Sequence, residues 1–246
     1  MKKRPLWMRG FRPFFLGASL FAVQTMARWL AVYRFGFQLE VNGLACQYWH
    51  AHEMIFGYAL AVVAGFLLTA AQNWTGVETL HGRSLAGLFL LWLIARILWV
   101  QGTVWLPYAG IADISFIFIL TAAIAQPVLK VRQSRQAPVL LILALLTAAS
   151  ICFYIGALSG DTQWLVSSLY AAMYLVLGLI LFMGRRVIPF FAERGVGDPV
   201  ELNNSRWNDL ATWLLFPAFI VAEVFFRQSL AGAFIAAALF ILNSIR

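Results

Sequence analysis

Residues 46–76 read CQYWHAHEMIFGYALAVVAGFLLTAAQNWTG, and this stretch decides the fold. Its middle, Met54 to Ala71, is an apolar run without a single charged residue. A run of that length crosses a hydrocarbon core of roughly 30 Å as an α-helix. Its head is polar: Cys46, His50, His52 and Glu53 stand within eight residues. Two of the chain's three histidines are here, at the mouth of the predicted span. Its tail carries Asn73 and Trp74.

Comparable apolar runs recur along all 246 residues. Hydrophobic residues make up 62% and charged residues 11%, against about 25% charged in a soluble domain. The mean hydropathy is +0.81. The fold class this predicts is all-α, a polytopic transmembrane helical bundle. A β-barrel is excluded because the runs are solid rather than alternating. Seven spans are expected, near residues 13–33, 50–72, 84–105, 108–128, 138–158, 164–183 and 210–226. A shorter apolar run covers 230–242. Residues 1–33 have the basic start of a signal peptide, but no prompt small-residue cleavage site, so they read as a retained first span. Residues 1–246 read as one transmembrane domain.

The net charge of +8 does not indicate a nucleic-acid partner, because the basic residues cluster in short loops. Lys2, Lys3, Arg4, Arg9 and Arg12 precede span 1; Lys130, Arg132 and Arg135 join spans 4 and 5; Arg185, Arg186, Arg194 and Arg206 join spans 6 and 7. Under the positive-inside rule this places the N-terminus in the cytoplasm. Trp29, Trp49, Trp74, Trp105, Trp164 and Trp207 fall near span ends, as an interfacial belt would. Cys46 and Cys152 are too few for a disulfide framework. Pro217 is the one interior proline that reads as a helix break.

With that topology, Arg28, Arg96, Asp113 and Glu223 all lie in the outer half of the membrane, level with His50, His52 and Glu53. Ionisable groups at such depth are costly and usually pair in a bundle interior. A shared polar site built from spans 1, 2, 3, 4 and 7 is therefore expected. The plainer alternative is separate charges snorkelling from helix ends. On a regular wheel of 100° per residue, Cys46, His50, Glu53, Gly57 and Ala61 share one stripe, and His52 points roughly 160° from His50. One metal ion chelated by both histidines is then not expected. The ladder Gly57, Ala61, Gly65 reads either as close helix packing or as a flat wall beside a planar cofactor.

Three motifs, GFRPFFLGASLFA at 10–22, HAHEMIFGYALAVVAGFLLTAAQNWTG at 50–76 and GRRVIPFF at 184–191, resemble the NnrS family. The resemblance implies a bacterial inner-membrane protein linked to nitric oxide and nitrosative stress, carrying haem and/or copper. It also implies a longer architecture of about twelve bilayer-length spans, of which this chain reads as a C-terminally shortened version. His50, His52 and Glu53 are the metal or haem candidates. Arg28, Arg96, Asp113 and Glu223 are supporting buried charges, and Cys46 and Arg186 are weaker candidates. The partners implied are the lipid bilayer and nitric oxide, a metal or haem.

Two other readings stay open on the residues alone. A proton-coupled transporter would use the same His/Glu/Arg/Asp cluster as a relay. A scaffold protein would use the charges only to fix helix packing. No nucleophile–base arrangement is visible, so any chemistry would belong to a metal or haem.

Overall fold

The computed structural model describes residues 5–37, 44–195 and 206–244. Lys2, Lys3 and Arg4 of the basic N-terminus lie outside the described residues, as do the side chains of Arg194 and Arg206. All regular structure among the described residues is helical. Seven helices there are long and apolar enough to cross a membrane, and an eighth apolar helix, Leu230–Ser244, is shorter. The chain is thus a multi-span membrane protein.

Two compact units divide the chain, Met1–Ala172 and Met173–Arg246. In the first unit, α1 (Phe11–Phe35) is followed by α2 (Cys46–His52), a π-helix (Glu53–Ala59) and α3 (Leu60–Thr75). Those last three form one continuous span. α4 (Gly82–Trp99), α5 (Leu106–Lys130) and α6 (Ala137–Ser159) complete the set, and α7 (Thr162–Gly195) begins in this unit. The stretch Cys46–Thr75 is the centre of the unit. Its most apolar window is 61% buried, against 11% for Phe11–Phe35. α1 packs along α3 and the π-helix, α5 packs on α3, α4 and α6.

Small residues make this packing close. A Cβ built on Gly65 would lie 2.8 Å from the Phe15 ring and 3.1 Å from Phe14 Cβ. Ala61 and Ala64 are fully buried. The small-residue ladder is therefore a contact face for α1, the packing alternative. At the opposite end of span 2, polar ties hold the chain. The Phe11 N–H donates to Thr69 Oγ1 at 3.2 Å, the Thr79 hydroxyl to the Leu68 carbonyl at 2.6 Å, and the Gln133 amide to the Trp74 carbonyl at 2.8 Å.

The helices match the expected spans with instructive differences. α4 stops at Trp99, short of Trp105, because the chain turns through Gly102 at φ +105°, a backbone region open to glycine. Trp49, expected at the interface, is 1% exposed and packs inside the bundle. Pro217 does not break its helix: α8 (Arg206–Phe225) runs through it. Neighbouring groups and local adjustments commonly absorb a proline inside membrane helices.

In the second unit, α8 pairs with α9 (Leu230–Ser244). Arg185 near the end of α7 joins both. It contacts Asp209 Oδ1 at 3.1 Å and donates to Thr212 Oγ1 at 2.6 Å and Asn243 Oδ1 at 3.3 Å. Asn208 donates to the Leu242 carbonyl at 2.6 Å.

Candidate functional site

The polar head of span 2 meets three other helices in the first unit. His52 ends α2 and Glu53 opens the π-helix. Arg96 lies in the last turn of α4, Asp113 early in α5, Tyr154 late in α6. Consecutive spans run up and down, so these positions fall at one end of the unit. His52 is 0%, Asp113 1%, Glu53 2% and Arg96 5% exposed. Charges this deep persist only when paired and hydrogen-bonded.

The pairing runs around His52 as an arc of bonded groups, open at one side. Arg96 Nη1 donates to Glu53 Oε1, and Arg96 Nη2 to Asp113 Oδ1. His52 Nδ1 sits 3.0 Å from the same Glu53 oxygen. On its other side, His52 Nε2 is 3.6 Å from Asp113 Oδ2, too far for a hydrogen bond. That Asp113 oxygen already accepts from the Tyr154 hydroxyl at 2.6 Å, and the Tyr154 oxygen accepts from Trp99 Nε1 at 2.7 Å.

Donor and acceptor chemistry then assigns the imidazole proton. Arginine and the indole N–H only donate, and an ionised carboxylate only accepts. Trp99 therefore points the Tyr154 proton at Asp113, Arg96 serves both carboxylates, and His52 Nδ1 must carry the proton that Glu53 accepts. This assignment comes from the network, as tautomers do. It leaves Nε2 with its lone pair. Nε2 is buried and has no hydrogen-bond partner, which costs about 1–3 kcal/mol if nothing fills it. Aromatic rings enclose the imidazole: Phe153 at 4.4 Å, Trp99 at 4.5 Å, Phe56 at 5.0 Å and Tyr154 at 5.5 Å between centroids.

Two glycines seat the arc. A Cβ on Gly57 would fall 2.8 Å from Arg96 Nη1 and 2.6 Å from Phe21. One on Gly110 would fall 2.9 Å from the Tyr154 ring. The Gly57 carbonyl also accepts from Trp92 Nε1 at 2.9 Å. The seven-residue π-helix that holds Gly57 is itself unusual, since π-turns are rare and recur at functional sites.

His50 takes a separate direction. Its ring stacks on Trp29 of α1, with centroids 4.4 Å apart and planes at 12°. It is partly exposed, and its Nδ1 is buried without a partner. The regular wheel grouped His50 with Glu53; the structure groups His52 with Glu53 instead. The reason is local: the Glu53 side chain reaches back to its neighbour, Arg96 and Asp113 hold both groups inside, and Trp29 claims His50. The two histidines do point apart, and among the described residues no group of three His, Cys, Asp or Glu is arranged to hold a metal ion.

The other candidates have neighbours of their own. Arg28 is held by Gln24, whose amide oxygen, in the orientation its hydrogen bonds favour, accepts from Arg28 Nε and Nη2 at 2.9 Å. Glu223 belongs to the second unit. There Tyr174 Oη lies 3.4 Å from Glu223 Oε2. Its Oε1 fills the space beside Gly232, in the first turn of α9, where a carboxylate complements the helix dipole. Arg186 lies over the Phe182 ring, 4.2 Å from its centroid. Cys46 and Cys152 are free thiols. Sequence reasoning missed Tyr154 and Trp99. A tyrosine in the apolar run of span 5 was the available signal, since a buried phenol needs a partner.

Taken together, a multi-helix apolar bundle encloses a carboxylate–arginine–carboxylate bridge around one histidine with an unused nitrogen. Among protein families, the chain matches the model described as NnrS protein over residues 5–246 and belongs to that family. No curated protein and no solved structure matches the chain.

Proposed function

We propose that this protein is a metal- and haem-carrying inner-membrane protein of the bacterial nitric oxide response, with His52 and His50 as two separate ligand positions. The observation that carries the reading is the pair of buried, unpartnered ring nitrogens, His52 Nε2 and His50 Nδ1. Orphaned polar atoms of this kind call for a partner such as an ion. The residues fit one-imidazole binding and not a chelate. A histidine whose other nitrogen is held by a carboxylate is the usual support for a metal ligand.

Burial divides the two roles. His52 is fully enclosed by rings and suits a compact ion; imidazole accommodates copper, the metal the family resemblance implies. His50, partly exposed beside Trp29, suits a planar haem. When bound, such a group supplies a position at which nitric oxide binds, with the chemistry belonging to the cofactor. The chain's own residues do the rest. Glu53 orients the imidazole, Arg96 and Asp113 balance charge behind it, and the aromatic cage excludes water.

The test is the visible spectrum and metal content of the purified full chain, with growth of a deletion strain under a nitric oxide donor. A Soret band, bound copper and donor sensitivity are expected. Absence of both the band and copper would sink the reading. A second reading, proton-coupled transport, draws on the linked titratable groups His52, Glu53, Arg96 and Asp113. It predicts pH-driven uptake that survives metal removal.

A further inference from the structure

Arg96 touches neither unused nitrogen, yet its position determines what His52 can offer. Its two terminal nitrogens hold Glu53 and Asp113 apart, on opposite sides of the imidazole. The guanidinium reaches Glu53 only because position 57 has no side chain: a Cβ there would lie 2.8 Å from Nη1, against the backbone of the π-helix. Phe21 closes the far side, its ring 5.9 Å from the Arg96 Cζ, a cation–π distance. Two further donors close the chain on the other flank, Tyr154 to Asp113 and Trp99 to Tyr154.

We infer that Arg96, seated on Gly57, is a positioning residue that fixes the tautomer of His52. With the guanidinium in place, Glu53 is held as an acceptor turned to Nδ1, so the proton stays there and Nε2 keeps its lone pair. Asp113 is held equally, with its second oxygen turned to Tyr154 and 3.6 Å from Nε2, beyond hydrogen-bond reach, so it does not draw the imidazole proton there. Without that seat, nothing distinguishes the two carboxylates flanking the ring, and His52 loses its single orientation of donor and acceptor. A guanidinium is required because it serves two carboxylates with a rigid planar fork, which an ammonium does not. The inference deepens the proposed function, because Nε2 matters only if it is a ligand, but its test needs no ligand.

The experiment is ¹⁵N NMR of the full chain, labelled at histidine, purified in lipid nanodiscs and stripped of metal and haem. The His52 resonances are assigned by their loss in H52Q. The wild type is expected to show a proton on Nδ1 and a bare Nε2. R96Q and G57A are each expected to lose that single-tautomer pattern, and R96K to restore it only in part. Should R96Q fail to fold, G57A, which leaves every charge in place, carries the test. Folded R96Q or G57A protein with an unchanged His52 pattern overturns the positioning role, as does a wild type with its proton on Nε2. A pattern that shifts as expected in a protein that never takes up copper upholds Arg96's role and defeats the proposed function separately.

Discussion

Arg96 and Arg185 each tie three helical segments together, and they leave very different surroundings behind. Arg185 joins α7 to α8 and α9 with a side chain 12% exposed, and its acidic partner Asp209 is 42% exposed. Its side-chain neighbours also include an amide and a hydroxyl whose own bonds end on backbone carbonyls. Arg96 bridges two carboxylates that are almost fully buried, and the group between them is a histidine with one nitrogen unused. The Arg185 clamp holds neutral amide and hydroxyl groups and one half-exposed carboxylate. The Arg96 cluster surrounds a histidine whose Nε2 has no hydrogen-bond partner inside an aromatic cage, the feature on which the proposed function rests. Two glycines cut to fit and a π-helix at the same place point the same way.

Substitutions can break this contrast. The largest effect is expected for R96Q, which leaves two buried carboxylates without their cation: roughly 3–5 kcal/mol of lost stability, read from unfolding in mild detergent. G57A crowds Arg96 and Phe21 and should cost about 1–3 kcal/mol in the same assay, while E53Q should weaken copper binding roughly 10–100-fold by equilibrium dialysis. Y154F removes the hydrogen bond to Asp113 and the one accepted from the Trp99 N–H, an expected loss of about 1–3 kcal/mol. R185Q, at the more exposed cluster, should cost no more than about 1 kcal/mol and leave copper and haem content unchanged. If R185Q proved as damaging as R96Q, the distinction between clamp and site would fail.

The composition made the class of fold plain, because solid apolar runs admit one solution in a bilayer. The co-location of Glu53, Arg96 and Asp113 was also legible, from the depth of each charge in its own span. The pairing of His52 with Glu53 was not. A wheel of constant pitch assigns neighbours to different faces, and it cannot foresee a π-turn or a side chain folding back to its own neighbour. Tyr154 was hidden for a different reason: in a span rich in apolar residues, one phenol reads as bulk until its partner is known. Gly57 and Gly65 look identical in the sequence. Both make room for phenylalanines of α1, but Gly57 also makes room for an arginine, and only the three-dimensional neighbours tell them apart.

The division of labour between the two histidines is the central claim, and copper and haem content measured side by side in wild type, H52N and H50N tests it most directly. H52N is expected to lose copper and keep its Soret band, and H50N to lose the Soret band and keep copper. Loss of both groups in either variant, or of neither in both, would contradict that division.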